Sequence, residues 1–361
     1  MRASLQLRTP TTGYFQKQHA VAVPGAAALA VRPNPVDGKA QPLVVCHLGI
    51  CPLHLNDAQD YVRLEPPLTL RNHNASKFNI RNVHDAAYDH HSGLVLFTHG
   101  SAIFGLDCAN RVTQVAGDDE GGLIFDGPAA EARFVGAQRL APDGRGVTYI
   151  RDRDSGSRNG FCLRALYEAT LPHGSGGSGD RAVVTVHIGG NVGPHAMTYD
   201  RRRRSLLFAT RGRAVHELLS YGITQELLGT DEPPAAAART GAAAAAASAS
   251  SSPSDYSDDE AYDSGRPTPA ATPPPDRLAS PLTNVQALAA DADSGNVYIL
   301  DGTTGSRTML RVLRPDGSLD TLDELRIGPA GSSRWPRLAV LPYGHLAVYG
   351  VSGHEMMVLT P

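Results

Sequence analysis

The chain predicts an all-β fold: a β-propeller, a ring of six four-stranded blades. Three observations carry that prediction. A strand–turn–strand pattern recurs along the 361 residues. The copies begin near Ala28, Ala86, Arg139, Met197, Leu288 and Leu338, at intervals of 58, 53, 58, 91 and 50 residues. The long interval coincides with a low-complexity segment, and removing about 50 residues leaves about 40, near the usual blade period.

Each copy joins an apolar strand to a second strand of β-formers across a turn rich in Asp, Gly, Pro or basic residues. The first is divergent, with A-L-A-V-R-P, a long turn and P-L-V-V-C-H-L. The second, A-A-Y-D-H-H-S-G-L-V-L-F-T-H, is followed by strands over Ala102–Asp107 and Arg111–Ala116. The third, R-L-A-P-D-G-R-G-V-T-Y-I-R-D, turns at Pro142-Asp143-Gly144, where glycine supplies the left-handed position a tight hairpin needs. The fourth, M-T-Y-D-R-R-R-R-S-L-L-F-A-T, continues into Ala214–Leu219 and Ile223–Leu228. The fifth, L-A-A-D-A-D-S-G-N-V-Y-I-L-D, continues into Met309–Leu313 and Ser318–Leu322 around Pro315-Asp316-Gly317. The sixth supplies only Leu338–Leu341, Leu346–Tyr349 and Met356–Thr360 before the sequence stops at Pro361. An uncovered strand edge is a liability, so an N-terminal strand, Ser4–Arg8, is expected to close the ring.

Residues 230–281 are rich in Ala, Ser, Pro and Asp, a composition that cannot bury enough apolar surface to order itself. They read as a disordered loop inserted in one propeller formed by residues 1–229 and 282–361. The acidic serines of Ser252–Ser264 suit phosphorylation.

A net charge of −3 gives no overall pull toward nucleic acid or anionic membrane. Aromatic content of 6% with the single Trp335 is thin for a base-stacking platform. No apolar run of 18 residues exists, so no membrane span is expected. The four cysteines, Cys46, Cys51, Cys108 and Cys162, lack a CxxC spacing and read as reduced thiols of a cytoplasmic protein. An organellar transit segment is the alternative, because no Asp or Glu precedes Asp37.

The stretch Val115–Asp152 runs V-A-G-D-D-E-G-G-L-I-F-D-G-P-A-A-E-A-R-F-V-G-A-Q-R-L-A-P-D-G-R-G-V-T-Y-I-R-D. It resembles the junction between two blades of an NHL-repeat β-propeller. The likeness is specific over these residues and partial elsewhere; the N-x-R-I signature is only hinted at in Gly305–Leu310.

The loops entering the innermost strands carry His84, Gln138, His195, Gln286 and Arg337 at equivalent points, a polar ring at the channel mouth. The plainer reading is that these side chains hydrogen-bond neighbouring blades. His84 and His195 are the zinc candidates, by similarity to six-bladed NHL-type lyases that cleave peptidyl-hydroxyglycine. A catalytic zinc needs three protein ligands, and no third equivalent histidine exists. Asp152 and Asp301, with Asn284, are the calcium candidates by similarity to lactonase- and paraoxonase-type hydrolases, whose cation takes six to eight oxygens. Both aspartates also match a structural Asp of NHL repeats. No cofactor is therefore expected.

The resemblance implies a monomeric, non-enzymatic ring that binds a protein partner through its loop face, as NHL-like modules do in larger assemblies. Some such propellers precede a BTB domain linked to a ubiquitin ligase. The alternative is a metal-dependent six-bladed hydrolase or lyase. RNA binding comes third, resting on a basic face of Arg133, Arg139, Arg151, Arg153 and Arg158.

Overall fold

The computed structural model describes residues 15, 17–55, 62–72, 74–80, 82–118, 121–154, 156, 160–168, 181–188, 193–210, 214–219, 222–228, 282–302, 307–326, 336–350 and 355–361. The predicted insert, residues 230–281, lies outside them, as do Ser4–Arg8, Trp335 and Arg158.

The protein is an all-β, six-bladed propeller of antiparallel sheets. Blade one contains Ala28–Pro33, Ala40–Cys46, Gly49–Leu55 and Val62–Leu64, and blade two Ala86–Asp89, Leu94–His99, Ala102–Leu106 and Val112–Gly117. Blade three contains Arg139–Pro142, Val147–Arg153, Phe161–Glu168 and Arg181–Val186, with the two-residue Gly127–Pro128 added at its outer edge. Blade four contains Ala196–Asp200, Ser205–Ala209, Val215–Leu218 and Thr224–Leu228. Blade five contains Val285–Ala290, Val297–Gly302, Arg307–Leu313 and Leu319–Arg326. Blade six takes Arg337–Val340, Leu346–Tyr349 and Glu355–Thr360 from the end of the chain and Lys17–Ala22 from its beginning.

The ring therefore closes with an N-terminal strand, but the strand beside Glu355–Thr360 is Lys17–Ala22, in register from Lys17 opposite Thr360 to Ala22 opposite Glu355. Its polar start, Lys-Gln-His, hides it in the sequence. Phe15, immediately before it, is fully buried among Leu322, Leu338, Leu346 and Leu359, and Val21 packs beside Val44 and Met356. The closing strand is thus anchored on both flanking blades.

Between blades, apolar faces stack into continuous cores. One cluster joins blades one and two through Leu43, Ile50, Val95 and Phe97; another joins blades four and five through Leu207, Val215, Ile299 and Leu313. The Val115–Asp152 motif forms the wedge between blades two and three. Phe134 is fully buried with Ala132, Leu96 and Ile150. Gly117 sits at φ +87°, and a Cβ there would lie 2.6 Å from the Phe134 ring, so both backbone conformation and space require glycine.

Candidate functional site

The two ends of the central channel differ in chemistry. At the end where the chain enters each innermost strand, polar groups are occupied in holding the blades. Asp152 Oδ1 accepts from the Gly136 and Arg153 amides, both at 2.8 Å, while Oδ2 meets Arg164 at 3.3 Å. Arg164, wholly shielded from solvent, also pairs with Asp126 at 2.8 Å and donates to the Phe125 carbonyl at 2.7 Å. Burial pushes the Asp152 carboxyl upward against the pull of the Gly136 amide and Arg164. Blade five repeats the device. Asp301 Oδ1 accepts from Thr283 N at 2.8 Å and Asn284 N at 2.7 Å, and Oδ2 pairs with Arg311 at 3.2 Å. In blade two Thr98 takes the role, its hydroxyl accepting from the His84 amide at 2.8 Å and the Asp85 amide at 3.1 Å.

Deeper in the channel, a cavity of about 650 Å³ opens among the first-hairpin turns and is walled by all six innermost strands. Ala30, Ala87, Ala141, Ala289 and Ala339 line it, and their small side chains keep it wide. Its inner end carries Asp85, Arg139 and Tyr349. Asp85 Oδ1 pairs with Arg337 at 2.9 Å, and Oδ2 accepts from the Leu140 amide at 2.9 Å. Burial, with the charge of Arg337 beside it, lowers the Arg139 guanidinium to about 10. Burial and the Asp85 carboxylate raise the Tyr349 phenol to about 12, so it keeps its proton at neutral pH. The rim carries Tyr88, His90, Tyr199 and Arg201. Burial and Arg201 hold the exposed-turn imidazole of His90 below its ordinary value.

The five predicted channel-mouth residues lie on the entering-loop side. His195 is buried; its amide donates to Ala209 O at 2.6 Å and its carbonyl accepts from Arg151 at 3.0 Å. Gln138, in the amide orientation that satisfies both its polar atoms, accepts from Arg153 Nε at 2.9 Å. Gln286 packs over Gly302, and its Oε1 is buried without a hydrogen-bond partner. Arg337 holds Asp85, and His84 is half-buried beside Thr98. The sequence reading missed Asp85, Arg139 and Tyr349. The first two immediately follow His84 and Gln138, and Tyr349 pairs opposite Arg337 across blade six.

Among the described residues no group of three or more His, Cys, Asp or Glu is placed to hold an ion. Asp152 and Asp301 have their oxygens engaged by amides and guanidinium groups. The predicted basic face does not exist as one surface. Arg133 pairs with Asp118, Arg139 lines the channel, Arg151 is buried with its guanidinium 3.5 Å from the Phe161 ring centroid, and Arg153 holds Gln138. The four cysteines are unpaired, Cys46 and Cys51 with sulfurs 3.9 Å apart. Among the described residues no helix is long and apolar enough to cross a membrane.

No known family's sequence profile matches the chain, and no curated protein matches it in sequence. Solved structures do match its fold. A gluconolactonase from Xanthomonas campestris is 11% identical with a TM-score of 0.50, covering 99% of this chain and 96% of that one. The aldose sugar dehydrogenase of Escherichia coli is 12% identical with a TM-score of 0.45, covering 95% and 99%. A streptogramin B lyase is 10% identical with a TM-score of 0.43, covering 95% and 97%. At these identities the likeness establishes the fold alone. The expectation of a non-enzymatic interaction ring is nonetheless corrected. It rested on the company NHL-like propellers keep, whereas a gluconolactonase shares this fold, so the ring does not by itself imply a passive scaffold.

Proposed function

We propose that this protein is an enzyme of the hydrolase or lyase class that holds a small molecule in the channel cavity and works on it by acid–base chemistry. The observation that carries this reading is the inner end of that cavity, where a carboxylate, a protonated phenol and a guanidinium group converge (Asp85, Tyr349 and Arg139). The volume of about 650 Å³ falls within the range of small-molecule sites, roughly 300–1,000 Å³. Asp85 is oriented by Arg337 and the Leu140 amide, which leaves it an acceptor for a substrate proton. Tyr349 can donate a proton or hydrogen bond to a leaving or carbonyl oxygen. Arg139 supplies positive charge where negative charge develops.

The NHL-like junction over Val115–Asp152 supports placing the blades in that repeat class, since its Phe134 wedge and Asp126–Arg164 link are what the motif's residues build. Enzymes of the same fold include a gluconolactonase and a streptogramin B lyase, so ring opening and elimination are the reactions to try first.

The test is turnover. Purified protein is assayed on sugar and aliphatic lactones in a pH-stat, and on β-substituted acids by the absorbance of the new double bond. Tyr349→Phe keeps the ring packing and is expected to lower kcat by about 10²–10⁴-fold, the usual worth of a general acid. Turnover that is indifferent to both Tyr349→Phe and Asp85→Asn, or none on any substrate, overturns the reading.

A further inference from the structure

We infer that Arg139 is the recognition group for a carboxylate, so that the substrate is a small organic acid bound with its carboxylate at the deep end of the channel and its body along the alanine-lined wall. The inference rests on the channel-enzyme reading for its purpose, but on separate observations for its chemistry. The inner end holds two guanidinium groups and one carboxylate. Asp85 has one contact on each oxygen, Arg337 at 2.9 Å and the Leu140 amide at 2.9 Å. Its direct ion pair is with Arg337, and Arg139 feels its charge only through space. Two cations thus share one carboxylate, and Arg139 lines the cavity without a direct ion pair, its Nε shielded from water with no hydrogen-bond partner among the described residues.

Shielding one guanidinium nitrogen from water without a hydrogen-bond partner, in a cation that shares its carboxylate with Arg337, costs free energy. That expense is removed when an anion arrives. A planar carboxylate accepts two parallel N–H bonds from the guanidinium fork, the geometry in which arginine most outperforms lysine. The acidic groups at the other end do not cancel this charge. Asp291 caps its own turn, accepting from the Asp293 amide at 3.0 Å, and Asp293 stands exposed at the rim, where solvent screens it.

The wall selects the rest of the molecule. Leu29, Leu140 and Leu338 adjoin the alanines, which suits an apolar or weakly polar body. Tyr88, Tyr199 and Arg201 ring the mouth and would meet any polar tail.

Saturation-transfer NMR on the full chain, with benzoate as the probe and benzamide as its neutral isostere, tests this directly. Benzoate is expected to give a signal at least tenfold stronger than benzamide, to lose it in Arg139→Met, and to recover it only in part in Arg139→Lys. Thermal unfolding of the same variants separates recognition from structure. Arg139→Met should melt no lower than the wild-type protein, because it removes an unpartnered buried cation. Equal benzoate and benzamide signals, or a benzoate signal that survives Arg139→Met, overturn the inference. A melting point that collapses in Arg139→Met shows the arginine to be structural and does the same. Binding without turnover in the lactone and elimination assays would leave the carboxylate site standing and sink the enzyme; turnover of neutral substrates untouched by Arg139→Met would do the reverse.

Discussion

Asp152 with Arg164 and Asp85 with Arg139 are two acid–arginine neighbourhoods in the same ring, and they obey opposite rules. At the entering-loop end, Arg164 is fully buried and every charge near it is met: Asp152 at 3.3 Å, Asp126 at 2.8 Å and a carbonyl at 2.7 Å. At the inner end of the cavity, Asp85 is claimed by Arg337 and Arg139 is left over. The first neighbourhood ties the end of a second strand to the loop that enters its own blade and to the Asp-Gly-Pro junction. The second ties nothing further, and it faces open space. Matched buried charge reads as architecture; surplus charge beside a cavity reads as recognition.

Four changes would break or sharpen that contrast. Arg164→Met should be the most damaging, because it strands Asp152 without its cation; about 3–5 kcal/mol of stability should go, measured by denaturant unfolding. Should Arg164→Met prove mild, the distinction between the two neighbourhoods fails. Phe134→Ala empties the wedge between blades two and three and should cost about 3–5 kcal/mol by the same measurement. Asp301→Asn tests whether blade five repeats the device. The amides of Thr283 and Asn284 keep an acceptor while Arg311 loses its counter-charge, so about 1–3 kcal/mol is expected. Arg139→Met should lie at the other end of the scale, neutral or stabilising.

A smaller effect concerns pH at the closing strand. His345 is buried, and burial first, then the charge of His19 on the closing strand, lowers its pKa. A histidine whose folded pKa lies below its unfolded value contributes full stability above about pH 6.5 and loses it as pH falls, by at most about 1.4 kcal/mol per unit. The melting temperature should therefore hold between pH 8 and 7 and decline below 6.5. His345→Gln should flatten that decline, and an equal decline in the variant would show that other groups carry it.

The repeat was legible because blades are built from local signals. A-A-Y-D, L-A-P-D and L-A-A-D each announce an innermost strand and its turn, and the observed strands begin within a few residues of the expected ones. Lys17–Ala22 escaped because its place is set by a partner more than 300 residues away, Glu355–Thr360, and its own first residues are polar. The site was legible only in outline. His84 and Gln138 mark the right level of the ring, but the His84 amide and the Gln138 side chain bond within their own blades, while the next residue in each strand, Asp85 or Arg139, reaches the channel. A shift of one residue in a strand changes the face, and period alone does not say which face meets empty space.

By itself the sequence determined the recurring strand pairs, their order and the glycine and phenylalanine of the junction, because these follow from strand alternation, turn chemistry and backbone sterics within a few residues. The tertiary structure alone decided that the blades number six, which strand closes the ring, and that Asp85, Arg139 and Tyr349 meet. Those residues come from blades two, three and six, and only closure of the ring brings their charges to within reach of one another and away from water.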